Sequence, residues 1–346
     1  MIRIAFLLPH LHPGGAERVV VNWANALDRD AFAPVVMLGR VEGDFLPLLA
    51  PDVPVIAIGG RRALTRPLRI ARALAAHRID LAYAATSAMN LALLAAPTKV
   101  PRIVSEHTPP DAFAREAKWP LARRLATAAF TRRAAAVAVP TAAIGEAIRH
   151  PRVTVLPNPV LDHAPAPLPA PTHGRRLVAA GRLVPAKGFD TLVDAMALLP
   201  DATLTIHGDG PLRADLAHRI AAQRLERRVT LAGHTANLAP ALAAADLFVS
   251  ASRREGFGNV LIEAMALGIP VLATRAGGPE TFLRDGINGF LTDPDDAPAL
   301  ARAIAALLAD APRRHGIREA ARDTAAGYTV AASTARFAAL AQQIAG

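Results

Sequence analysis

The sequence predicts an α/β protein with two doubly wound domains, each built on a parallel sheet. Short apolar runs of the β type alternate with longer helical segments along the chain of 346 residues, and the spacing between runs suits crossover helices. A proline-rich segment without apolar periodicity, APAPLPAPT at 164–172, separates two series of such runs. We therefore expect a first domain at residues 1–163, a linker at 164–173 and a second domain at 174–327.

Seven runs before the linker and five after it are typical of buried parallel strands. In chain order the first seven are RIAFLLP, PVVMLG, VPVIAI, DLAYAAT, RIVSEH, AVAVP and VTVLPN. The other five are RRLVAAG, TLTIHG, VTLAG, DLFVSAS and PVLAT. The last segment, YTVAASTARFAALAQQIA at 328–345, has a helical pattern and lies beyond the second series.

Composition limits the class of protein and its partners. The chain has no cysteine, which excludes disulfides and thiolate metal sites. No apolar stretch reaches about 18 residues without charge or proline, and no small-residue cleavage site follows the apolar start, so we expect a cytoplasmic protein without a transmembrane helix or signal peptide. Residues 1–170 carry 20 Lys and Arg against 12 Asp and Glu, and residues 171–346 carry 19 against 17. This basic first half favours an anionic partner, but not nucleic acid, because the chain has no recognition motif and only 15 aromatic residues.

The most informative stretch is SRREGFGNVLIEAMALGIPVLAT at 252–274, where Glu255 and Glu263 flank a glycine-rich turn. The run before it predicts a strand, and NVLIEAMALG predicts a helix with Asn259 as its N-cap and Gly268 at its end. Glu255 then lies on a loop at the carboxyl end of a strand, where open α/β sheets bind ligands. Glu263 falls in an otherwise apolar helix, where a carboxylate needs a polar partner such as a ribose diol.

The turn between these glutamates also predicts an anion site. Backbone N–H groups point out of a helix start, and the helix dipole favours negative charge there. The amides in question are those of Gly256, Phe257, Gly258 and Asn259.

A second loop supplies cations. In GRLVPAKGFDTLVDAM at 181–196, Arg182 and Lys187 lie between a strand that ends at Gly181 and a helix that starts near Gly188. Arginine offers a planar fork of donors and lysine a compact charge, a combination that suits a diphosphate. Only 3 of the 39 basic residues are lysine, so composition alone favours arginine at position 187.

Two features of the first half are weaker signals. In PHLHPGGAERVVVNWANAL at 9–27, Gly14 and Gly15 let backbone approach a phosphate or a sugar closely, and Glu17 follows in the first helical turn. SEHT at 105–108 ends a predicted strand and places His107 at the rim of the first sheet. An ordinary strand–helix turn and a structural histidine are the alternative interpretations.

Together these motifs resemble the signature of the retaining glycosyltransferases of family 4, which have the GT-B fold. The resemblance covers nearly the whole chain. It implies two Rossmann-like domains facing a cleft, with a terminal helix, 328–346, that crosses back onto the first domain. It also implies that the second domain holds a nucleotide-sugar donor. A UDP-sugar is the expected donor, and GDP-mannose is the main alternative. A glycan or a polyprenyl- or other lipid-linked acceptor would be held by the first domain, and transfer would retain the anomeric configuration without a cofactor or metal.

For individual residues, the resemblance implies that Glu255 contacts the transferred sugar and that Glu263 holds the nucleotide ribose. Arg182 and Lys187 would grip the donor diphosphate, and His107 would contact the sugar or the acceptor in a catalytic role. The remaining donor-binding residues that it implies are Gly14, Gly15, Gly256, Phe257, Gly258, Asn259 and Val260.

Other functions fit the sequence less well. A sugar-nucleotide epimerase on the same fold needs a dedicated base, for which no motif is present, and a non-catalytic sugar-nucleotide sensor does not need leaving-group stabilisation by Arg182 and Lys187. An oxidoreductase is disfavoured because no G-x-G-x-x-G follows the first strand. Asp293 and Asp295 form an Asp-x-Asp, but we interpret them as a turn before a helix and predict no metal site.

The segment REAKWPLARRLATAAFTRR at 115–133 predicts peripheral contact with an anionic membrane surface, which for a cytoplasmic protein is the inner face of the cell membrane. Pro120 suits a helix start, and cations alternate with apolar residues beyond it. The cations are Arg115, Lys118, Arg123, Arg124, Arg132 and Arg133. They do not share one clean helix face, so a solvated basic helix is the alternative.

Overall fold

A computed structural model of the chain describes residues 1–59, 66–107, 130–163, 165, 166, 168, 174–235 and 237–346. These residues form two compact units. The first unit consists of Met1–Asp162 with Thr329–Gly346, and the second consists of His163–Tyr328. Of the predicted linker at 164–173, residues 165, 166 and 168 are among those described.

The first unit contains a parallel sheet with the spatial order β3-β2-β1-β4-β5-β6-β7. Its strands are β1 Ile2–Leu8, β2 Phe32–Leu38, β3 Val55–Ala57, β4 Leu81–Ala84, β5 Arg102–Ser105, β6 Ala136–Val139 and β7 Val153–Val155. The strand order reverses between β1 and β4. The loops that leave their carboxyl ends therefore flank the position where such sheets bind ligands.

Helices cover both faces of this sheet. They are α1 Gly15–Ala26, α2 Arg66–Ala76, α3 Ser87–Leu94, α4 Ala142–Glu146 and α12 Val330–Ala345, with a short 3-10 helix at Leu46–Leu48. On one face α1 packs with α12: the rings of Trp23 and Phe337 stack at 4.6 Å, and Trp23 Nε1 donates to Ser333 Oγ at 2.9 Å. On the other face Ile70 of α2 and Leu93 of α3 join the apolar residues of the strands. The carboxyl-terminal helix thus completes the core of the first unit.

The second unit contains a parallel sheet with the order β10-β9-β8-β11-β12-β13. Its strands are β8 Arg176–Ala180, β9 Thr203–His207, β10 Val229–Gly233, β11 Leu247–Ser250, β12 Val271–Thr274 and β13 Phe290–Thr292. The helices are α5 Phe189–Ala197, α6 Arg213–Ala222, α7 Ala239–Ala243, α8 Asn259–Ala266, α9 Ala297–Ala309, α10 Ala311–Gly316 and α11 Arg318–Ala326. Short 3-10 helices lie at Pro185–Lys187 and Pro279–Thr281. Here the order reverses between β8 and β11.

The predicted fold class is confirmed, because both sheets are parallel and doubly wound. Each of the apolar runs singled out in the sequence contains a strand. Strand β13, which has three residues, was not among the predicted runs. No described helix is both long enough and apolar enough to cross a membrane. Most of the segment 115–133 lies outside the described residues, so its membrane contact stays a prediction.

Candidate active site

The loops after β8 and β11 leave the same edge of the second sheet. The two strands pair in parallel, with Leu247 opposite Leu177 and Phe248 opposite Val178. Because parallel neighbours end side by side, the loop that carries Lys187 and the loop that carries Glu255 emerge together at the point where the strand order reverses. Ligands bind at this position in open α/β sheets.

Lys187 and Glu255 are in contact at this edge. The Lys187 ammonium donates a hydrogen bond to Glu255 Oε2, and the two side chains are 26% and 16% exposed. Ser252 Oγ lies 3.4 Å from the same carboxylate oxygen. Two residues that were assigned to different motifs, 68 positions apart, therefore belong to one cluster.

The backbone of Glu255 is fixed by the loop that follows β12. Its N–H donates to Ala276 O at 2.9 Å, and its carbonyl accepts from Gly278 N at 2.8 Å. A Cβ on Gly278 would lie 2.6 Å from Phe257 N and 2.7 Å from Glu255 O. Only glycine therefore allows the two loops to approach this closely, which holds Glu255 at the edge of the sheet.

Arg253 ties the Glu255 loop to the Lys187 loop. Its backbone N–H donates to Ala186 O at 2.9 Å, and its guanidinium donates to Pro185 O at 2.7 Å. The guanidinium also holds both carboxylate oxygens of Asp190 at 2.8 Å and Asp295 Oδ1 at 2.5 Å. Burial opposes the charge of Asp190, but its hydrogen bonds with Arg253 lower its pKa overall. Arg253 was not predicted as a site residue, because its partners Asp190 and Asp295 are 63 and 42 residues away in sequence.

The helix α8 starts at Asn259, and its N-cap is Gly258 with φ of 102°. The prediction of Asn259 as N-cap is wrong, because the left-handed backbone at Gly258, which favours glycine, already turns the chain into the helix. No side chain caps this end. Among the hydrogen bonds of the described residues, none is donated by the amides of Gly256, Phe257 or Gly258. Three consecutive N–H groups at a helix start are thus available to an anion.

The side chains of this turn have different surroundings. Phe257 is 5% exposed, and its ring lies 5.3 Å from the rings of both Phe282 and Tyr328, so only its backbone is placed to contact a ligand. Val260 and Glu263 are partly exposed in the first and second turns of α8. The helix ends at Ala266, and Gly268 follows with φ of 74°, so the predicted helix end is confirmed.

The loop of Arg182 is supported by the glycine-rich turn after β9. Leu183 N donates to Asp209 O at 2.9 Å. A Cβ on Gly208 would lie 1.9 Å from Gly181 O, and one on Gly210 would lie 2.6 Å from Leu183 O. These contacts require glycines at 208 and 210. Arg182 itself is exposed, and its guanidinium has no hydrogen bond or ion pair within the part of the chain that the structure describes.

In the first unit, the loop that follows β1 ends at Gly14, and α1 starts at Gly15. Gly14 is the N-cap, with extended backbone at φ of −167°. A Cβ on Gly14 would lie 2.2 Å from Glu17 Oε2, whereas a Cβ on Gly15 would meet no atom within 4 Å. Gly14 therefore makes room for Glu17, and the space beside Gly15 is open.

His107 lies just beyond β5. Its Nε2 is 3.0 Å from Ser105 Oγ, and burial lowers the pKa of His107 to about 4. The ring is therefore neutral at physiological pH and suits hydrogen bonding rather than donation of a proton. Asn90 lies beside it and donates to Ser105 O at 2.8 Å and to Glu106 Oε1 at 3.0 Å. Asn90 keeps one buried polar atom, Oδ1, without a partner in the described structure.

The Asp-x-Asp of the sequence is a turn before a helix. Asp293 pairs with Arg275 at 3.7 Å, Asp295 pairs with Arg253, and the neighbouring Asp296 caps α9 by accepting from Ala299 N at 2.8 Å. Within the described ranges, no group of three or more His, Cys, Asp or Glu is arranged to hold a metal ion.

Sequence models of two families match the chain. The model of "Glycosyl transferases group 1" matches residues 162–324, and that of "Glycosyltransferase Family 4" matches residues 13–162. A lipopolysaccharide core biosynthesis glycosyltransferase of Rhizobium meliloti is 41% identical over 163 residues, which are 47% of this chain and 48% of the relative. A GDP-mannose-dependent phosphatidylinositol monomannoside mannosyltransferase of Mycolicibacterium smegmatis is 42% identical over 153 residues, 40% of this chain and 39% of the relative. The match spans less than half the length of both relatives.

A solved structure resembles the whole chain. The Anabaena protein HepE, in complex with UDP and glucose, aligns with a TM-score of 0.85 and 26% identity over 98% of this chain and 99% of its own. The two family models meet at residue 162, where the two compact units also divide. The chain belongs to the group 1 glycosyltransferases of the GT-B fold.

Proposed function

We propose that this chain is a retaining, metal-independent glycosyltransferase. It moves a sugar from a nucleoside diphosphate donor, which we take to be a UDP-sugar, to a glycan or lipid-linked acceptor of the cell envelope. The second unit holds the donor and the first unit holds the acceptor. The observation that carries the proposal is the contact between Lys187 and Glu255 at the switch point of the second sheet.

The chemistry follows from the charges at this edge. When the bond between the anomeric carbon and the diphosphate breaks, negative charge grows on the departing oxygen and positive charge on the sugar ring. Lys187, Arg182 and the amides of residues 256–258 stabilise the departing diphosphate, and each well-placed donor lowers the barrier by about 3 kcal/mol. Glu255 faces the positive sugar ring and orients it. The acceptor oxygen then bonds to the anomeric carbon, and its proton leaves with the diphosphate.

The donor and acceptor classes are inferred from relatives. HepE binds UDP and glucose, which supports a UDP-sugar, while the mycobacterial relative is named for GDP-mannose, which keeps that donor as the alternative. The Rhizobium relative is named for lipopolysaccharide core biosynthesis, which supports an envelope glycan as acceptor. Glu263 in α8 is then the candidate to hold the ribose diol.

The experiment that tests the function starts with thermal-shift screening of nucleotide sugars, because a bound donor stabilises the native state by mass action. The nucleotide sugar with the largest shift is then incubated with the protein alone and with glycan and lipid-linked acceptors. We expect transfer with acceptor, and at most slow hydrolysis without it. Conversion of the nucleotide sugar to an isomer would instead indicate an epimerase, and binding without turnover would indicate a sensor.

A further inference from the structure

We propose that Ser105 is a positioning residue that holds the imidazole of His107 as the tautomer with its proton on Nδ1. His107 then presents an N–H donor to an oxygen atom of the sugar or of the acceptor. This inference deepens the proposed function, on which it rests, because it identifies the ring atom that makes the contact and the residues that select it.

The first observation is the contact between Ser105 and one ring nitrogen. Ser105 ends β5 and is 4% exposed, and its Oγ lies 3.0 Å from Nε2 of His107. Because burial lowers the pKa of His107 to about 4, the ring is neutral and carries a proton on only one nitrogen. The Ser105 hydroxyl either donates to Nε2, which places the ring proton on Nδ1, or accepts from Nε2–H, which leaves Nδ1 as an acceptor.

The hydroxyl of Tyr83 decides between these two directions. Tyr83 is fully buried, Ser105 is its hydrogen-bonding neighbour, and it has no other partner within the described structure. If Tyr83 donates to Ser105 Oγ, the Ser105 proton remains to be donated to Nε2, and both hydroxyl protons find an acceptor. In the opposite direction the Tyr83 proton would be buried without an acceptor, which is costly. The hydrogen bonds therefore run from Tyr83 through Ser105 to His107.

The first sheet holds Tyr83 and Ser105 in this relation. Tyr83 of β4 lies opposite Ile103 of β5. Ser105 follows two residues later and therefore lies on the same face of the sheet as Ile103. On this face the ring of Tyr83 packs against three aromatic rings at centroid distances between 5.5 and 5.7 Å, those of Phe6, Trp23 and Phe337. A ring packed on several sides has little freedom, so the position of its hydroxyl is fixed.

The backbone that carries His107 is fixed from both sides. Asn90 of α3, which is 2% exposed, donates through Nδ2 to Ser105 O at 2.8 Å and to Glu106 Oε1 at 3.0 Å. Glu106 N donates to Ala138 O at 3.0 Å. Among the described residues, none forms a hydrogen bond with Nδ1 of His107. An N–H at Nδ1 is thus available to a ligand.

A purely structural role of Ser105 makes different predictions. If Ser105 only accepts from the Tyr83 hydroxyl, Ser105→Ala lowers the melting temperature and leaves the tautomer of His107 and sugar transfer unchanged. Ser333→Ala is the matched control, because Ser333 is a buried serine of the same unit whose hydroxyl bonds Trp23 Nε1 and Pro157 O. We expect this control to lower the melting temperature without changing the tautomer or transfer.

The experiment determines the tautomer by NMR of protein with isotope-labelled histidine at neutral pH. Long-range proton–nitrogen spectra distinguish the protonated ring nitrogen from the other, and the signals of His107 are those lost in His107→Gln. In wild-type protein we expect the proton on Nδ1. Ser105→Ala and Tyr83→Phe should raise the fraction of His107 with the proton on Nε2. Ser105→Thr, which keeps the hydroxyl, and Ser333→Ala should keep the wild-type spectrum.

Transfer kinetics show whether the tautomer affects the reaction. Ser105→Ala should lower kcat/KM by about tenfold, the effect of one misplaced hydrogen bond, and Ser105→Thr should restore it. Added to His107→Gln, Ser105→Ala should cost no further activity, because it acts through the same ring.

A proton on Nε2 in wild-type protein, or the same tautomer in wild type and Ser105→Ala, would overturn the inference. Equal further loss of activity from Ser105→Ala with and without His107→Gln would overturn the positioning role. Wild-type protein that transfers no sugar from any nucleotide sugar overturns the proposed function alone, because the spectra still decide which nitrogen of His107 carries the proton.

Discussion

The ammonium group of Lys187 donates a hydrogen bond to Oε2 of Glu255, between two loops that are 68 residues apart in sequence. Both side chains are mostly buried, so their charges are screened less than those of surface pairs. A donor diphosphate near Lys187 would compete with Glu255 for the same ammonium. The hydrogen bond therefore couples Lys187, which would stabilise the departing phosphate, to Glu255, which would face the sugar.

Glu255→Gln should reduce transfer by at least about tenfold, or 1.4 kcal/mol of barrier, while nucleoside diphosphate binding is kept. The amide keeps the shape of the side chain but removes the charge that would face the sugar, and it would leave Lys187 to the diphosphate. A direct transfer assay and calorimetry with UDP measure the two effects. Glu226→Gln, which changes an exposed glutamate of the same unit, is the matched control. Near wild-type turnover of Glu255→Gln would remove Glu255 from the catalytic role.

Lys187→Ala should weaken UDP binding and slow transfer together, because the ammonium would be a main positive charge at the diphosphate position. The measurement is calorimetry with UDP next to the transfer assay. Lys99→Ala provides the control, since Lys99 is an exposed lysine of the first unit and the chain has only three lysines. An unchanged affinity for UDP would show that the phosphate assignment is wrong.

Arg253→Met should lower both stability and transfer. The substitution keeps an unbranched apolar stem but removes the hydrogen bonds to Asp190, Asp295 and Pro185, and we expect a loss of about 2 kcal/mol in the free energy of unfolding. Urea denaturation measures this loss, and the transfer assay measures the effect of loosening the loops of Lys187 and Glu255. Arg224→Met replaces an exposed arginine of the same unit as a control. A transfer rate of Arg253→Met equal to that of wild-type protein would contradict the role of Arg253 in positioning the loops of Lys187 and Glu255.

The fold and the main cluster were predictable because both leave local signals. Parallel strands that are buried on both faces give continuous apolar runs, and loops at their carboxyl ends carry the polar residues of the site. The sequence thus located Lys187 and Glu255 separately. That the two side chains touch depends on the pairing of β8 with β11, which no local pattern of either strand specifies.

Other features depend on long-range packing or on backbone geometry. Arg253 resembles any surface arginine in the sequence, and only the fold brings Asp190 and Asp295 to it. The N-cap of α8 was predicted at Asn259 from side-chain preference, but a left-handed Gly258 took this position. Stacking of Phe337 on Trp23 likewise joins residues from opposite ends of the chain.

His107 should make the protein less stable as the pH falls. Burial lowers its pKa to about 4 in the folded state, whereas the unfolded chain takes up this proton near pH 6.5. Its contribution is therefore complete above about pH 6.5 and is lost as the pH falls towards about 4. We expect the melting temperature of wild-type protein to fall more between pH 7 and pH 5 than that of His107→Gln. The exposed His218, changed to Gln, is the control, and equal pH slopes for His107→Gln and wild type would contradict the burial of His107.

The segment 115–133 should bind anionic vesicles through its cations. A basic segment beside an anionic surface gains about 1 kcal/mol per cation, and salt screens this attraction. Its six cations lie in the half of the chain that has 20 basic against 12 acidic residues, and lipid-linked acceptors would be presented at such a surface. We therefore expect sedimentation with vesicles of anionic lipid to decrease as salt is added.

Arg123→Glu/Arg124→Glu should abolish this binding. The control is Arg69→Glu/Arg72→Glu on α2, where both side chains are exposed and the change in net charge is the same. If only the first double variant loses binding, the contact is made by 115–133. Equal loss in both would indicate that the overall charge of the first unit is responsible, and wild-type protein that stays in the supernatant even at low salt would indicate a soluble acceptor.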